Sequence, residues 1–242
     1  MMEELLPESV VAVESHGDEL SGKADLASLY PEELAVLTRA VDKRRREFAT
    51  VRVCARRAME KLDVAPAPVL PGERGAPRWP EGVIGSMTHC EGYAAAALAR
   101  AGDLASLGID AEPHLALPDD VLEAVALPAE SERLDRLGAR VPAVHWDRLL
   151  FSAKESVYKA WFPLTGKWLD FSGADIGISL DPAPATGGPA GSLSARLLVP
   201  GPVVGGVPVQ TFRGRWTVRH GLVATAVTVP HTGPDPEPGP GT

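Results

Sequence analysis

Apolar residues recur at Val41, Phe48, Val51, Ala55, Ala58 and Leu62 with roughly helical spacing, and no Gly or Pro interrupts the chain from about Leu34 to Leu62. Pro31-Glu32-Glu33 supplies an opening, with proline preset for the first turn and acids placed against the helix dipole. The pattern predicts one long helix there, with basic residues on its other faces. A second stripe, Trp146, Leu149, Leu150, Ala153, Val157 and Ala160, predicts a helix over Val144 to Trp161. On that helix Glu155 stands two positions from Ala153, about 200° round the axis, so Glu155 and Lys159 face away from the buried stripe. Strands are predicted at Val83 to Met87, Tyr93 to Ala99 and Leu107 to Ala111, and again at Ala174 to Leu180, Ser194 to Val199, Val209 to Val218 and Leu222 to Val229. Pro118 to Val125 reads as a short helix, residues 1–30 as irregular, and the proline- and glycine-rich 65–82 as a loop. Loop, long helix and strands occur twice, which hints at two related α+β halves. Pro230 to Thr242 carries five prolines and three glycines and is expected to be disordered.

Composition narrows the class. With 45% apolar residues in 242, the chain can bury a full core. A net charge of −8 argues against general nucleic-acid binding. The charge is uneven, however: Arg39, Lys43, Arg44, Arg45, Arg46, Arg52, Arg56, Arg57 and Lys61 face only Asp42, Glu47 and Glu60 over residues 39–61. A basic patch on an acidic chain points to a particular anionic ligand. Cys54 and Cys90 are too few for a disulfide scaffold or a zinc cage. No apolar run is long enough to span a bilayer, and the acidic start Met1 to Glu4 lacks a signal peptide's basic end. The expectation is a cytoplasmic protein that binds neither membrane nor nucleic acid.

Three segments carry candidate chemistry. Asp110 and Glu112 are two apart, so on a strand they share a face. A solvated strand-end pair and a magnesium site both fit that spacing. Glu155 and Lys159 are one helical turn apart, which suits a surface ion pair or a carboxylate and a cation serving one site. Gly85-Ser86-Met87-Thr88-His89-Cys90 brings a hydroxyl and a histidine to a strand end. Arg52 and Arg56 share a helix face, and arginine forks suit phosphate. No G-x-S-x-G elbow or G-x-x-x-x-G-K-[ST] loop is present, which disfavours hydrolase and ATPase chemistry.

Taken together, G-I-D-A-E at 108–112, F-S-A-K-E-S-V-Y-K at 151–159 and Arg74-Gly75-Ala76-Pro77-Arg78-Trp79-Pro80 through Cys90 resemble the motifs of the 4′-phosphopantetheinyl transferases. The resemblance is to the large monomeric, surfactin-synthetase-activating class. Lys43 to Arg52 and Trp161-Phe162-Pro163-Leu164 are similar to its actinobacterial branch. The resemblance implies an α+β fold of two similar halves about a pseudo-twofold axis, with coenzyme A in the cleft between them. Residues 1–106 would form one half and 107–229 the other.

It also implies Mg²⁺-dependent transfer of the phosphopantetheine arm of coenzyme A to a serine of an apo acyl, polyketide or peptidyl carrier protein, leaving adenosine 3′,5′-bisphosphate. Asp110, Glu112 and Glu155 would hold the metal. Glu155 would take the serine proton, and Lys159 would neutralise the leaving phosphate. His89 and Thr88 would contact the 3′-phosphate, Arg44, Arg52 and Arg74 would clamp the nucleotide phosphates, and Lys154 would also contact phosphate. Where many relatives carry Gly-Lys-Pro, this chain has Gly75-Ala76-Pro77, with Arg74 and Arg78 as the neighbouring cations. Carrier docking is expected on the second half and near Val121 to Ala126. A non-catalytic coenzyme A binder would not need three carboxylates, and a pyrophosphatase would show denser aspartates.

Overall fold

The computed structural model describes residues 1–17, 26–38, 40–118, 120–182 and 187–231. The chain runs through β1 (Val11–His16), α1 (Pro31–Val36) and α2 (Asp42–Lys61) to a small hairpin, β2 (Leu70–Pro71) and β3 (Pro77–Arg78). Then come β4 (Val83–Cys90), β5 (Tyr93–Arg100) and β6 (Ser106–Pro113), followed by α3 (Val121–Val125), α4 (Pro128–Arg140) and α5 (Trp146–Thr165). β7 (Ala174–Leu180), β8 (Ala190–Leu197), the hairpin β9 (Val203–Val204) and β10 (Val207–Pro208), β11 (Thr211–Arg219) and β12 (Leu222–Val229) complete it. The strands form a sheet ordered β1-β5-β4 and another ordered β6-β12-β11-β8-β7, with all pairings antiparallel.

Each sheet carries one long helix. α2 packs Cys54, Ala55, Ala58 and Met59 onto Val83, Ala96 and Leu98. β5 is nearly all alanine between Ala94 and Ala99 and buried on both faces. Alanine is a poor strand former, but its small side chain lets layers approach closely on either side. On the far side Ala95, Ala97 and Ala99 join Leu107, Ile109 and Ala111 of β6 and Leu222, Ala224 and Ala226 of β12 in one cluster, so a shared core spans both sheets. The stripe read on α5 is its core face: Trp146, Leu149, Leu150, Ala153, Val157 and Ala160 pack onto the five-stranded sheet.

The expected helix from Leu34 to Leu62 is two helices. α1 stops at Val36, and Leu37 turns inward to join Leu29, Phe48 and Ala49. Glu33, fully buried, accepts from Arg56 of α2 and from the Val69 N–H, which folds α1 back on its neighbour. Val41 is therefore not part of the stripe; it is 72% exposed ahead of α2. Residues 1–30, read as irregular, contain β1, which pairs along β5. The 65–82 loop holds the β2–β3 hairpin. Helix α4 escaped the periodicity reading. The expected disorder of 230–242 falls, from residue 232 onward, outside the described residues, as does Arg39. Among the described residues no helix is long and apolar enough to cross a membrane.

Candidate active site

Gly108 sets the site. A Cβ at this position would stand 2.0 Å from Ser156 O and 2.7 Å from Ala160 N, so only glycine lets α5 lie this close to β6. Two polar contacts fix the helix there: Ser106 Oγ donates to Ala160 O at 2.7 Å, and Ser156 Oγ lies 2.7 Å from Thr225 Oγ1. Arg148, Glu155 and Lys159 then share one face of α5, since seven residues make about two turns. Lys159 Nζ donates to Asp110 Oδ1 at 2.7 Å and to Ile109 O at 3.0 Å. Arg148 donates to Glu112 Oε2 at 3.1 Å and also holds Leu115 O and Ala116 O. Among the described residues Glu155, between these two cations on the helix, forms no ion pair of its own within 4.0 Å.

The carboxylates are under-neutralised. Asp110 is 4% exposed; its Oδ1 takes Lys159 and the Thr88 hydroxyl, while its buried Oδ2 has no partner among the described residues. Burial, helped by the Asp110 charge, pushes the Glu112 carboxyl above its ordinary value against the pull of Arg148. Burial also pushes Glu155 up, with Lys159 opposing and Asp110 adding. Among the described residues no three His, Cys, Asp or Glu side chains converge as a ready metal cage. Asp110 and Glu112 lean instead on Lys159 and Arg148. The orphaned Oδ2 and two half-buried carboxyls nonetheless suit Mg²⁺, which takes one or two carboxylates and completes its shell with water and phosphate oxygens.

A cleft of about 710 Å³ opens beside them, lined by Arg44, Arg52, Arg74 and His89 from the first sheet's side and by Glu155, Tyr158 and Lys159 of α5. Arg44 donates to His89 Nε2 at 2.5 Å, so the ring proton sits on Nδ1, 3.8 Å from Glu47 Oε2. Burial and the Arg44 charge hold His89 below its ordinary pKa. Arg52 is buried, its Nε bonded to Val69 O; burial pushes it down to about 10, so it stays cationic at neutral pH. Arg74 adopts a left-handed φ of 52° before Gly75, which swings its guanidinium to 5.5 Å from the Trp168 ring. Arg78 lies against Gly72 instead. The Tyr158 hydroxyl is buried without a partner among the described residues.

Two residues with expected phosphate roles lie outside this cleft. The Thr88 hydroxyl is buried against Asp110 and the Ala111 N–H. Lys154, 3% exposed, is bonded to Glu130 at 2.8 Å, Phe171 O at 2.6 Å and Ala174 O at 3.1 Å, and borders a separate hollow of about 390 Å³. Sequence reasoning missed Arg148, although its seven-residue spacing from Glu155 puts both on one helix face. It also missed Glu130, which follows Pro128 as Glu33 follows Pro31.

Residues 31–99 match the profile of the 4′-phosphopantetheinyl transferase N-terminal domain, and residues 106–196 that of the 4′-phosphopantetheinyl transferase superfamily. The chain is 56% identical over 229 residues to 4′-phosphopantetheinyl transferase Svp of Streptomyces mobaraensis, covering 95% of this chain and 89% of that one. It is 47% identical over 225 residues to 4′-phosphopantetheinyl transferase PptT of Mycobacterium tuberculosis, covering 93% and 96%. Against 4′-phosphopantetheinyl transferase Npt of Nocardia iowensis the identity is 45% over 228 residues, covering 94% and 99%.

Proposed function

This chain belongs to the 4′-phosphopantetheinyl transferases, and on that premise we propose that it moves the phosphopantetheine arm of coenzyme A onto a serine of apo acyl, polyketide or peptidyl carrier proteins. The observation that carries the proposal is that Glu155 and Lys159 line an arginine-walled cleft while Lys159 bonds to the buried Asp110.

The serine Oγ forms a bond to the β-phosphorus of coenzyme A, and the bond from that phosphorus to the bridging oxygen breaks. Adenosine 3′,5′-bisphosphate leaves with that oxygen. Glu155, without an ion pair among the described residues and raised in pKa, accepts the serine proton. Lys159 places its charge where the leaving oxygen becomes negative, so it stabilises the transition state more than the ground state. Arg44, Arg52, Arg74 and His89 bind and orient the nucleotide phosphates, since phosphoryl transfer depends chiefly on positioning and neutralisation. Asp110, Glu112 and Glu155 would hold Mg²⁺, whose charge offsets that of the pyrophosphate.

We assign the chain to the large monomeric class and its actinobacterial branch, as a cytoplasmic enzyme. Its halves, residues 1–106 and 107–229, are read as structural counterparts. α2 and α5 are each 20 residues long. Each half also buries a glutamate two residues after a proline that opens a short helix. Glu33 and Glu130 each accept from a backbone N–H ahead of their own helix, from a distant strand or loop N–H, and from a cation of the long helix.

The test is intact-mass spectrometry of an apo carrier protein incubated with this protein, coenzyme A and Mg²⁺. A gain of one phosphopantetheine mass that chelator abolishes is expected. No gain across acyl, polyketide and peptidyl carriers refutes the assignment.

A further inference from the structure

β4 and β6 run side by side but belong to different sheets. Beside the apolar core they share, a pair of side chains supplies the hydrogen bonds between them. The Ile109 N–H donates to Ser86 Oγ and the Ala111 N–H donates to Thr88 Oγ1, each at 3.1 Å. A threonine hydroxyl has one proton to give. With Ala111 on a lone pair, that proton goes to Asp110 Oδ1, 3.2 Å away. Lys159 of α5 donates to the same oxygen. A carboxylate held by one donor can swing about its Cβ–Cγ bond; donors from two elements on one oxygen fix its plane, and among the described residues the other oxygen, Oδ2, is buried and unpartnered.

We propose, on the premise that the chain is a Mg²⁺-dependent phosphopantetheinyl transferase, that Thr88 is a positioning residue for Asp110, its hydroxyl reserving Oδ2 for the divalent cation instead of binding a nucleotide phosphate. The side chain is 4% exposed and does not line the cleft that its neighbours Met87 and His89 face. A phosphate could take this hydroxyl only by stripping Asp110 of a donor. Partners that orient a metal ligand matter nearly as much as the ligand itself.

The test compares Thr88→Val, which keeps the shape and removes the hydroxyl, with Thr88→Ser and Ser86→Ala. Three quantities are read: Mn²⁺ affinity by electron paramagnetic resonance, metal-free adenosine 3′,5′-bisphosphate affinity by calorimetry, and kcat against KM for coenzyme A. In T88V, Mn²⁺ affinity and kcat are expected to fall about 10–100-fold, with nucleotide affinity and KM for coenzyme A unchanged. T88S restores the first two. S86A loosens the same junction without touching Asp110, so it lowers the melting temperature and leaves Mn²⁺ affinity alone. Should T88V not fold, T88C, whose thiol is a weak donor, carries the same expectation. Unchanged Mn²⁺ affinity with weakened nucleotide binding in T88V makes the hydroxyl a phosphate contact and overturns the proposal. So does an S86A variant that loses Mn²⁺ as T88V does. Wild-type protein that neither binds Mn²⁺ nor modifies a carrier sinks the transferase assignment itself, and the positioning role with it.

Discussion

Lys159 gives its charge to Asp110 of the neighbouring strand, 2.7 Å away, and not to Glu155 one turn back on its own helix. The local i,i+4 pair that the sequence offers is thus traded for a contact across the site. In the proposed reaction this leaves Glu155 to accept the serine proton and sets Lys159 to neutralise the leaving phosphate. Replacing Lys159 by Met is expected to lower kcat by about 10²–10³-fold, with a smaller change in KM for coenzyme A. Steady-state kinetics on an apo carrier decides; near-normal kcat removes Lys159 from the reaction.

Gly108→Ala places a methyl against the α5 backbone at Ser156 and Ala160, where no flexible side chain can move aside. The helix must back away from β6, taking Lys159 from Asp110. The cost is expected to be about 1–3 kcal/mol of stability, readable by urea denaturation. Turnover should drop even at temperatures where the variant is fully folded. A variant that is destabilised but turns over normally shows that the site tolerates a wider gap.

Nucleotide binding is expected to depend on pH through His89. Burial and Arg44 hold its pKa below the ordinary 6.5. The folded protein therefore binds fewer protons at this site than the unfolded chain, and this ring costs stability as pH falls below that value. A bound phosphate favours the imidazolium. Binding of adenosine 3′,5′-bisphosphate is expected to take up a proton at this ring at about pH 6–7. Calorimetry in two buffers of different ionisation heat measures it. His89→Asn should remove that part of the uptake; an identical proton count in the variant places the linkage elsewhere.

The bonds of Lys154 point to a structural cation. Its bond to Glu130 is buried at both ends, and Glu130 also caps α4 and holds the Ile176 N–H. Lys154→Met leaves that carboxylate without its cation and is expected to cost about 3–5 kcal/mol of stability. Nucleotide affinity of the folded protein stays near wild type. The reverse pattern, intact stability with weakened nucleotide binding, would restore a phosphate role.

Much of this was legible because each motif lies on one element. The α5 stripe, the Asp110–Glu112 spacing and the arginine helix all follow from local period. What escaped depends on partners far away in sequence. Nothing around Lys159 announces that it will choose Asp110, nor does Thr88 reveal that its hydroxyl is taken by β6. β5, a run of alanines, earns its strand from burial on both faces and not from propensity. Among the described residues β1 pairs only along β5, and its short apolar run was lost among irregular neighbours. α4 was within reach: Pro128-Ala129-Glu130 repeats the opening at Pro31-Glu32-Glu33, but the charged sequence after it hid the stripe.

A backbone ladder is blind to sequence. Its spacing survives nearly any substitution, because main-chain groups do the joining. Between β4 and β6 the joint is written in two side chains, Ser86 and Thr88, and is therefore open to change one codon at a time. Of the two, Ser86 holds only the Ile109 N–H, whereas Thr88 also holds Asp110, so a change at Ser86 loosens the joint alone and a change at Thr88 reaches the carboxylate as well.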